Sequence, residues 1–331
     1  MLLRREPNQI GPAAVSLLMK SHPCTSPLSS RLSRIAASLG LVALLGALAA
    51  CSPVRLVNAI TPTATLVRTE GIAYVQRSDH PRQRLDIYQP ATDATGQRPR
   101  PVVVFFYGGA WQEGARGDYL FLAEALTQRG YVVVIPDYRV YPEVRYPAFL
   151  EDGAEAVAWT TRHIAQYGGD PARIFLMGHS AGAHIAAMLA LDHRYLDARQ
   201  VRRGAITGWV GLAGPYDFLP LTEPNVIALF ATEPVLDRTQ PIHYAATAGG
   251  REAPRALLLH GDADTRVYPR NSVNLESALR AAGTPAQLAL LPGVGHVGIM
   301  ARFTRVWRDS SLIDRIDTFL RTAAPPAPNR G

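Results

Sequence analysis

Residues 173–190 read RIFLMGHSAGAHIAAMLA. Arg173 to Met177 is an apolar run that follows the turn-prone Gly168-Gly169-Asp170-Pro171, which predicts a short buried strand. Ala183 to Ala190 is Ala-rich and predicts a helix. Ser180 therefore stands on the turn between a strand and a helix, the setting that the G-x-S-x-G nucleophile elbow requires. Such a turn leaves no room for side chains two residues either side of the serine, hence Gly178 and Gly182. The small Ala181 lets the helix begin close to the sheet, and its N–H points into the space that the hydroxyl enters. A motif this short recurs by chance, so its meaning rests on the rest of the chain.

Working outward, the same alternation repeats. Gly71 to Gln76 and Arg84 to Gln89 predict two strands around a turn at 77–82, and Pro101 to Phe106 and Tyr131 to Ile135 predict strands buried on both faces. Leu120 to Gln128 and Ala148 to Ala165 carry apolar residues at helical spacing. Beyond the serine strand come Ile206 to Leu212, Arg255 to His260 and Ala286 to Leu291 as strands, with helices at Val273 to Ala281 and Leu312 to Arg321. The expected fold is α/β: a mostly parallel eight-stranded sheet with helices on both faces. Residues 214–254 hold Pro215, Pro220, Pro224, Pro234 and Pro241 and one short helical piece near Asn225 to Phe230, which predicts a small cap over the serine. With 47% hydrophobic and 18% charged residues, the chain has the composition of a globular domain and not of a disordered one.

The first fifty residues are set apart. Arg31 and Arg34 precede the uncharged run Ile35 to Ala50, too short to span a membrane comfortably and ending in small residues, so 1–50 is expected to be a secretory signal. Its ending, Leu48-Ala49-Ala50-Cys51, resembles the bacterial lipobox, which implies lipidation of Cys51 and a membrane partner through that N-terminal anchor. Ser52 after the cysteine resembles outer-membrane sorting, so the expected place is a periplasm-facing outer-membrane lipoprotein. Translation starting at Met19 instead of Met1 would give a signal of ordinary length. Residues 51–70 are expected to be a lipidated tether, 71–322 the folded domain and 323–331 a Pro-rich flexible tail. Residues 51–331 carry 29 basic and 26 acidic side chains, so the +7 of the whole chain is partly that of the leader. No basic run of the kind nucleic-acid binders show is present, and no nucleic-acid partner is expected. With Cys24 removed and Cys51 acylated, neither of the two cysteines is left for a disulfide.

A serine hydroxyl needs a base, and the base needs a carboxylate to orient it. Two aspartates, Asp262 and Asp264, follow the strand Arg255 to His260, and catalytic groups of parallel sheets sit past the carboxyl ends of strands. His296, flanked by Gly293 and Gly295, follows the last strand, where a loop can carry an imidazole back to the serine. The segment Tyr107-Gly108-Gly109-Ala110-Trp111 follows the strand Pro101 to Phe106, and its small residues let backbone N–H groups approach a developing oxyanion. No His/Asp/Glu cluster has metal-ligand spacing and no G-x-G-x-x-G opens a helix after a strand, so neither metal nor dinucleotide cofactor is expected.

These stretches together resemble a family. YGGAW at 107–111 is similar to the HGGGW or HGGG motif of hormone-sensitive-lipase-like carboxylesterases of the α/β-hydrolase superfamily. Residues 137–148 resemble their DYRLAPE…FPA segment, and 167–184 are similar to isoprenylcysteine methylesterases and to bacterial feruloyl-esterase-like hydrolases. The resemblance covers about 71–322. It implies a serine carboxylic-ester hydrolase acting on small-molecule esters through an acyl-enzyme, with Ser180, His296 and Asp264 as catalytic residues. Asp264 is favoured over Asp262 because 261–267 resembles the superfamily's G-x-x-D-x-x-V. Gly109, Ala110 and Ala181 are implied as oxyanion donors, with Gly108 shaping the turn. Tyr107 stands where the family has histidine and Ala110 where it has glycine; the first alters how the loop is anchored and the second narrows the acyl side. Asp137, Arg139 and Glu143 read as structural bracing. An amidase or peptidase of the same fold and a non-catalytic binding lipoprotein are the alternatives.

Overall fold

The uninterrupted apolar runs become the middle of the sheet. The computed structural model describes residues 53–91, 99–247 and 253–322. The strands are β1 (Leu66–Ala73), β2 (Arg84–Pro90), β3 (Arg100–Phe106), β4 (Val132–Pro136), β5 (Gly169–His179), β6 (Ile206–Leu212), β7 (Arg255–Gly261) and β8 (Ala286–Leu291). They form one eight-stranded sheet in the order β1-β2-β4-β3-β5-β6-β7-β8. All pairings among β3 to β8 are parallel, and β2 is antiparallel to both β1 and β4 at one edge. Every residue of β4 and β6 is buried, as strands covered on both faces must be, whereas edge strand β8 is half-exposed along its length.

The strand order positions the site. The chain steps outward from β3 to β4 and then crosses back to β5 on the other side of β3. Phe106, the last residue of β3, therefore lies opposite Gly178. The loops leaving β3 and β5 emerge side by side, at the point where open α/β sheets bind ligands.

The helices are α1 (Pro53–Ala59), α2 (Leu120–Thr127), α3 (Ala148–His163), α4 (Ala181–Leu191), α5 (Pro224–Phe230), α6 (Arg270–Ala281) and α7 (Ser310–Thr322), with single turns between them. Every residue of α4 is buried, which explains its alanines: the helix lies against β5 and β6 on one side and α3 on the other, with no face left for water. In α7, by contrast, Leu312, Ile313, Ile316, Phe319 and Leu320 are buried at helical spacing and the rest is polar.

Three expectations shift. The first strand begins at Leu66, before the expected Gly71, because a bulge between Thr69 and Ile72 breaks the alternation and hides its first half from a periodicity reading. The serine strand begins at Gly169 instead of after a turn at 168–171: Gly168 takes the left-handed conformation and the chain then pairs at once with Arg100. The stretch expected to be a tether is, from Pro53, α1 and the start of β1. Asn58 Nδ2 donates to Gly117 O at 2.8 Å and Thr61 is buried, so this segment packs on the domain instead of leading up to it. The described residues belong to one unit that begins at Pro53. The expected leader 1–50, Cys51 and the tail 323–331 lie outside the described residues. Among the described residues no helix is long and apolar enough to cross a membrane.

Candidate active site

The turn after β5 places Ser180 at φ 54° and ψ −122°, a conformation that non-glycine residues rarely hold. Its N–H donates to Leu212 O at the end of β6, 2.9 Å away, so the turn is tied to the neighbouring strand. The two motif glycines are steric necessities. A Cβ on Gly178 would stand 2.1 Å from Gly182 O, and one on Gly182 would stand 2.0 Å from Phe106 O. The turn thus packs backbone on backbone against the end of β3.

His296 Nε2 lies 2.9 Å from Ser180 Oγ, and His296 Nδ1 lies 2.7 Å from Asp264 Oδ2. The three side chains come from loops after β5, β7 and β8 and meet in one hydrogen-bonded line. Asp264 is buried, which by itself would raise its pKa. Hydrogen bonds from His296 and from the N–H groups of Val267 and Arg266, each backbone bond 2.9 Å long, outweigh burial and hold it below the usual value. An ionised Asp264 can only accept, so Nδ1 of His296 carries the proton and Nε2 presents a lone pair to the serine hydroxyl.

Two further histidines brace this line. His260 Nε2 donates to Val267 O at 2.8 Å, with Asp264 Oδ2 at 3.3 Å from the same nitrogen, and its Nδ1 accepts from Ser272 Oγ at 2.7 Å. Burial pushes the pKa of His260 down. His179 Nε2 donates to the carbonyl of His296 at 3.1 Å, and burial beside that ring pushes the His179 pKa down to about 3, so it stays neutral. Sequence reading gave neither residue a role: His179 acts on a partner 117 residues along the chain, and the bonds of His260 depend on how the turn that follows it folds.

Asp262, the other aspartate after β7, is not in the line. Its Oδ1 accepts from Gly293 N at 2.7 Å and so holds the loop that carries His296. This is the turn chemistry that aspartate beside glycine performs.

Ala110 and Ala181 line, with Ser180, an open cavity of about 880 Å³, within the size of small-molecule sites. Gly109 does not line it. Its φ of 130° and the 2.2 Å that would separate a Cβ from Glu113 O leave only glycine there, and its carbonyl accepts from the N–H of Gln112 and Glu113. Among the described residues the N–H groups of Gly109, Ala110 and Ala181 donate to no backbone acceptor. Ala110 and Trp111 follow at φ 51° and 58°, a strained pair for residues with side chains.

The anchor of this loop is Tyr107. Its hydroxyl donates to Asp137 Oδ1 at 2.8 Å, its carbonyl accepts from Tyr138 Oη at 2.8 Å, and its ring stacks on Tyr138 and Tyr119. Asp137 also accepts from the Arg116 N–H at 2.7 Å and from the Arg116 guanidinium, which reaches Asp86 at 2.8 Å as well. Arg139 grips Asp152 through Nε and Nη2, both at 2.8 Å, and Glu143 pairs with His80. Asp137 and Arg139 are thus parts of the hydrogen-bonded floor, Glu143 belongs to an exposed ion pair, and none of the three joins the line from Ser180 to Asp264. Among the described residues no cluster of His, Cys, Asp and Glu is placed to hold a metal ion.

The family model BD-FAE matches residues 85–279. The chain belongs to the BD-FAE family. The matched stretch runs from β2 into α6 and includes Ser180 and Asp264; His296 lies beyond it. This BD-FAE chain is 32% identical over 265 residues to a probable isoprenylcysteine alpha-carbonyl methylesterase of Oryza sativa subsp. japonica, covering 75% of this chain and 62% of that one. It is 31% identical over 234 residues to the esterase LipC of Mycobacterium tuberculosis, covering 66% and 57%. The chain thus spans about half to three fifths of the length of such curated relatives. Among solved structures it is similar to esterase B from Lactobacillus rhamnosis, with a TM-score of 0.68 at 20% identity over 89% of this chain and 94% of that one. The thermophilic carboxylesterase EstE1 from a metagenomic library gives 0.67 at 18% identity over 82% and 94%. These likenesses are of fold, the mostly parallel sheet with helices that the BD-FAE chain shows.

Proposed function

We propose that the chain is a serine carboxylic-ester hydrolase working through Ser180, His296 and Asp264. The observation that carries this reading is the hydrogen-bonded line from Ser180 Oγ through His296 to Asp264, opening on a cavity of small-molecule size. Ser180 Oγ attacks the ester carbonyl carbon while His296 Nε2 takes its proton. Asp264 holds the Nδ1 proton and stabilises the imidazolium that forms. The negative charge that develops on the carbonyl oxygen is met by the N–H groups of Ala181 and Ala110, which line the cavity, with Gly109 as the further donor that the resemblance implies although it does not line the cavity. The tetrahedral species then expels the alcohol, which takes the proton from His296, and leaves the acyl group on Ser180. Water, deprotonated by His296 in its turn, releases the acid. Relatives named as methylesterases and esterases support an ester over an amide as substrate.

Hydrolysis of p-nitrophenyl acetate tests this. Ser180→Ala is expected to lower kcat by about a million-fold, in practice to background. Equal turnover by wild type and variant would overturn the assignment.

The reading extends to place: a lipid on Cys51 holds the enzyme at the periplasmic side of a bacterial outer membrane. The support is the Leu48-Ala49-Ala50-Cys51 sequence after an apolar run. In cells fed an alkyne fatty acid, the wild type is expected to be labelled and to sediment with outer membranes. Cys51→Ser should be unlabelled, and a labelled Cys51→Ser protein would refute the anchor.

A further inference from the structure

The cavity over Ser180 has two unlike walls. One is apolar and comes from the segment after β6, with Phe218, Leu219, Pro220 and Leu221. The other comes from the turn between β7 and α6 and carries Arg266 and Arg270. Both guanidinium groups are unspent: among the described residues neither has a carboxylate partner, and Arg270 lies only over the Tyr268 ring, 5.5 Å from its centre. About half of the other arginines among the described residues sit in ion pairs, such as Arg116 with Asp86 and Arg139 with Asp152. Of the described residues lining the cavity, Glu223 is the single acidic one, at the start of α5 in the apolar wall, so the lining is net positive.

The position of the cationic wall is fixed. The backbone N–H of Arg266 donates to Asp264 Oδ1 at 2.9 Å, so this residue is two steps from the carboxylate that orients His296. Arg270 opens α6, and the next residue, Asn271, is buried with its side chain holding Tyr216 N at 2.9 Å and Tyr268 O at 3.0 Å. The two arginines thus project from a braced turn into the space a substrate must fill. A pair of planar cations facing an apolar wall suits a molecule with an apolar part and a carboxylate, which arginine binds in a two-pronged way.

Resting on the esterase reading of this site, we propose that Arg266 and Arg270 select esters that carry a carboxylate away from the scissile bond. The apolar remainder of such a substrate lies along the Phe218 to Leu221 wall.

Two matched substrate pairs test this: p-nitrophenyl hydrogen glutarate against p-nitrophenyl pentanoate, with the charge on the acyl side, and 3-acetoxybenzoate against phenyl acetate, with the charge on the alcohol side. In the double variant Arg266→Gln/Arg270→Gln, the anionic-to-neutral ratio of kcat/KM is expected to fall by about tenfold or more for at least one pair, as for loss of a hydrogen bond to a charged group. Ratios unchanged for both pairs would overturn the proposal. A second arm needs no catalysis: calorimetric binding of glutarate and of 3-hydroxybenzoate to Ser180→Ala. At least one is expected to bind, and to lose its binding when both arginines are also replaced; binding of neither, or binding that survives the replacement, counts against the arginines. If the wild type hydrolyses neither neutral ester, the esterase reading fails, and the binding arm still decides the fate of the cationic wall. Matching circular dichroism spectra exclude unfolding of the variants as the cause.

Discussion

The floor and the roof of the cavity are built by opposite means. In the floor, the turn at Ser180 and the loop at 107–111 are pinned by backbone contact and buried hydrogen bonds: Gly182 against Phe106 O, Tyr107 against Asp137, Asp137 against Arg116. The roof, residues 214–247, is a proline-punctuated path with one two-turn helix and two single helical turns, and Ile227, Val235 and Leu236 are turned to solvent. Its polar ties to the rest of the domain run largely through single side chains, among them Asn271 to Tyr216 N at 2.9 Å, Asn225 to Gln112 at 2.9 Å and His184 to Thr239 O at 2.8 Å. Reacting atoms tolerate little displacement, whereas a wall that selects substrates can be altered without disturbing them. The contrast predicts large losses from small changes in the floor and modest ones from changes in the roof.

The sharpest break is Asp264→Asn. The amide preserves shape but leaves His296 in the wrong tautomer, and kcat is expected to fall by about 10⁴-fold. Asp262→Asn keeps the oxygen that receives the Gly293 N–H, and steady-state kinetics should show less than about a threefold change, as for a surface substitution. Similar losses from both would mean that the hydrogen-bonded line is not the working one.

Next in size is Gly182→Ala. The new methyl would overlap the backbone of Phe106 and Tyr107, so thermal or urea unfolding should report a loss of about 4 kcal/mol or more, or no soluble protein. A variant as stable as wild type would show that the floor is less rigid than its contacts imply.

The join between floor and roof should be acid-sensitive. His184, on α4, donates Nε2–H to Thr239 O in the roof and is ringed by Trp111, Phe149, Phe218 and Phe230. Burial pushes its pKa down to about 4. The unfolded chain, with an ordinary histidine pKa, therefore binds more protons between about pH 6.5 and 4, and stability falls as pH falls through that window. At pH 5 the loss from this one group is about 2 kcal/mol relative to pH 7. Urea midpoints at the two pH values should show it, and His184→Gln should shrink the difference; an unchanged difference would remove His184 as the cause.

The smallest effect belongs to the roof itself. Leu221→Ala removes apolar wall without touching the floor, and the butyrate-to-acetate ratio of kcat/KM is expected to change by less than about tenfold while acetate turnover persists. A loss of turnover on acetate as large as that of Asp264→Asn would erase the distinction between the two regions.

Legibility followed the range of the interactions. The strands at 101–106 and 131–135, the helix after Ser180, the serine on its turn, and a histidine and a pair of aspartates past later strand ends were readable because each signal lies within a few residues. The first half of β1 was not, because the bulge beside Gly71 breaks the alternation that reveals a strand. Nor were the partners of Tyr107: nothing local links it to Asp137, 30 residues on, or links Asp137 to Arg116 and Asp86. His179 read as an ordinary histidine, because the carbonyl it steadies is 117 residues along the chain, and so did His260, because its bonds to the following turn depend on the conformation that turn takes.

The amino-acid order alone determined that strands and helices alternate, that a serine sits on a glycine-framed turn, and that an acid and a base follow it past later strand ends. Only the tertiary structure decided which of two neighbouring aspartates accepts the His296 hydrogen bond, what holds the Tyr107 loop, and which residues wall the cavity. The reason is physical. Periodicity and turn sterics are properties of adjacent residues, whereas a hydrogen bond of 2.7 Å between Asp264 and His296 exists only once β7 and β8 lie side by side in register.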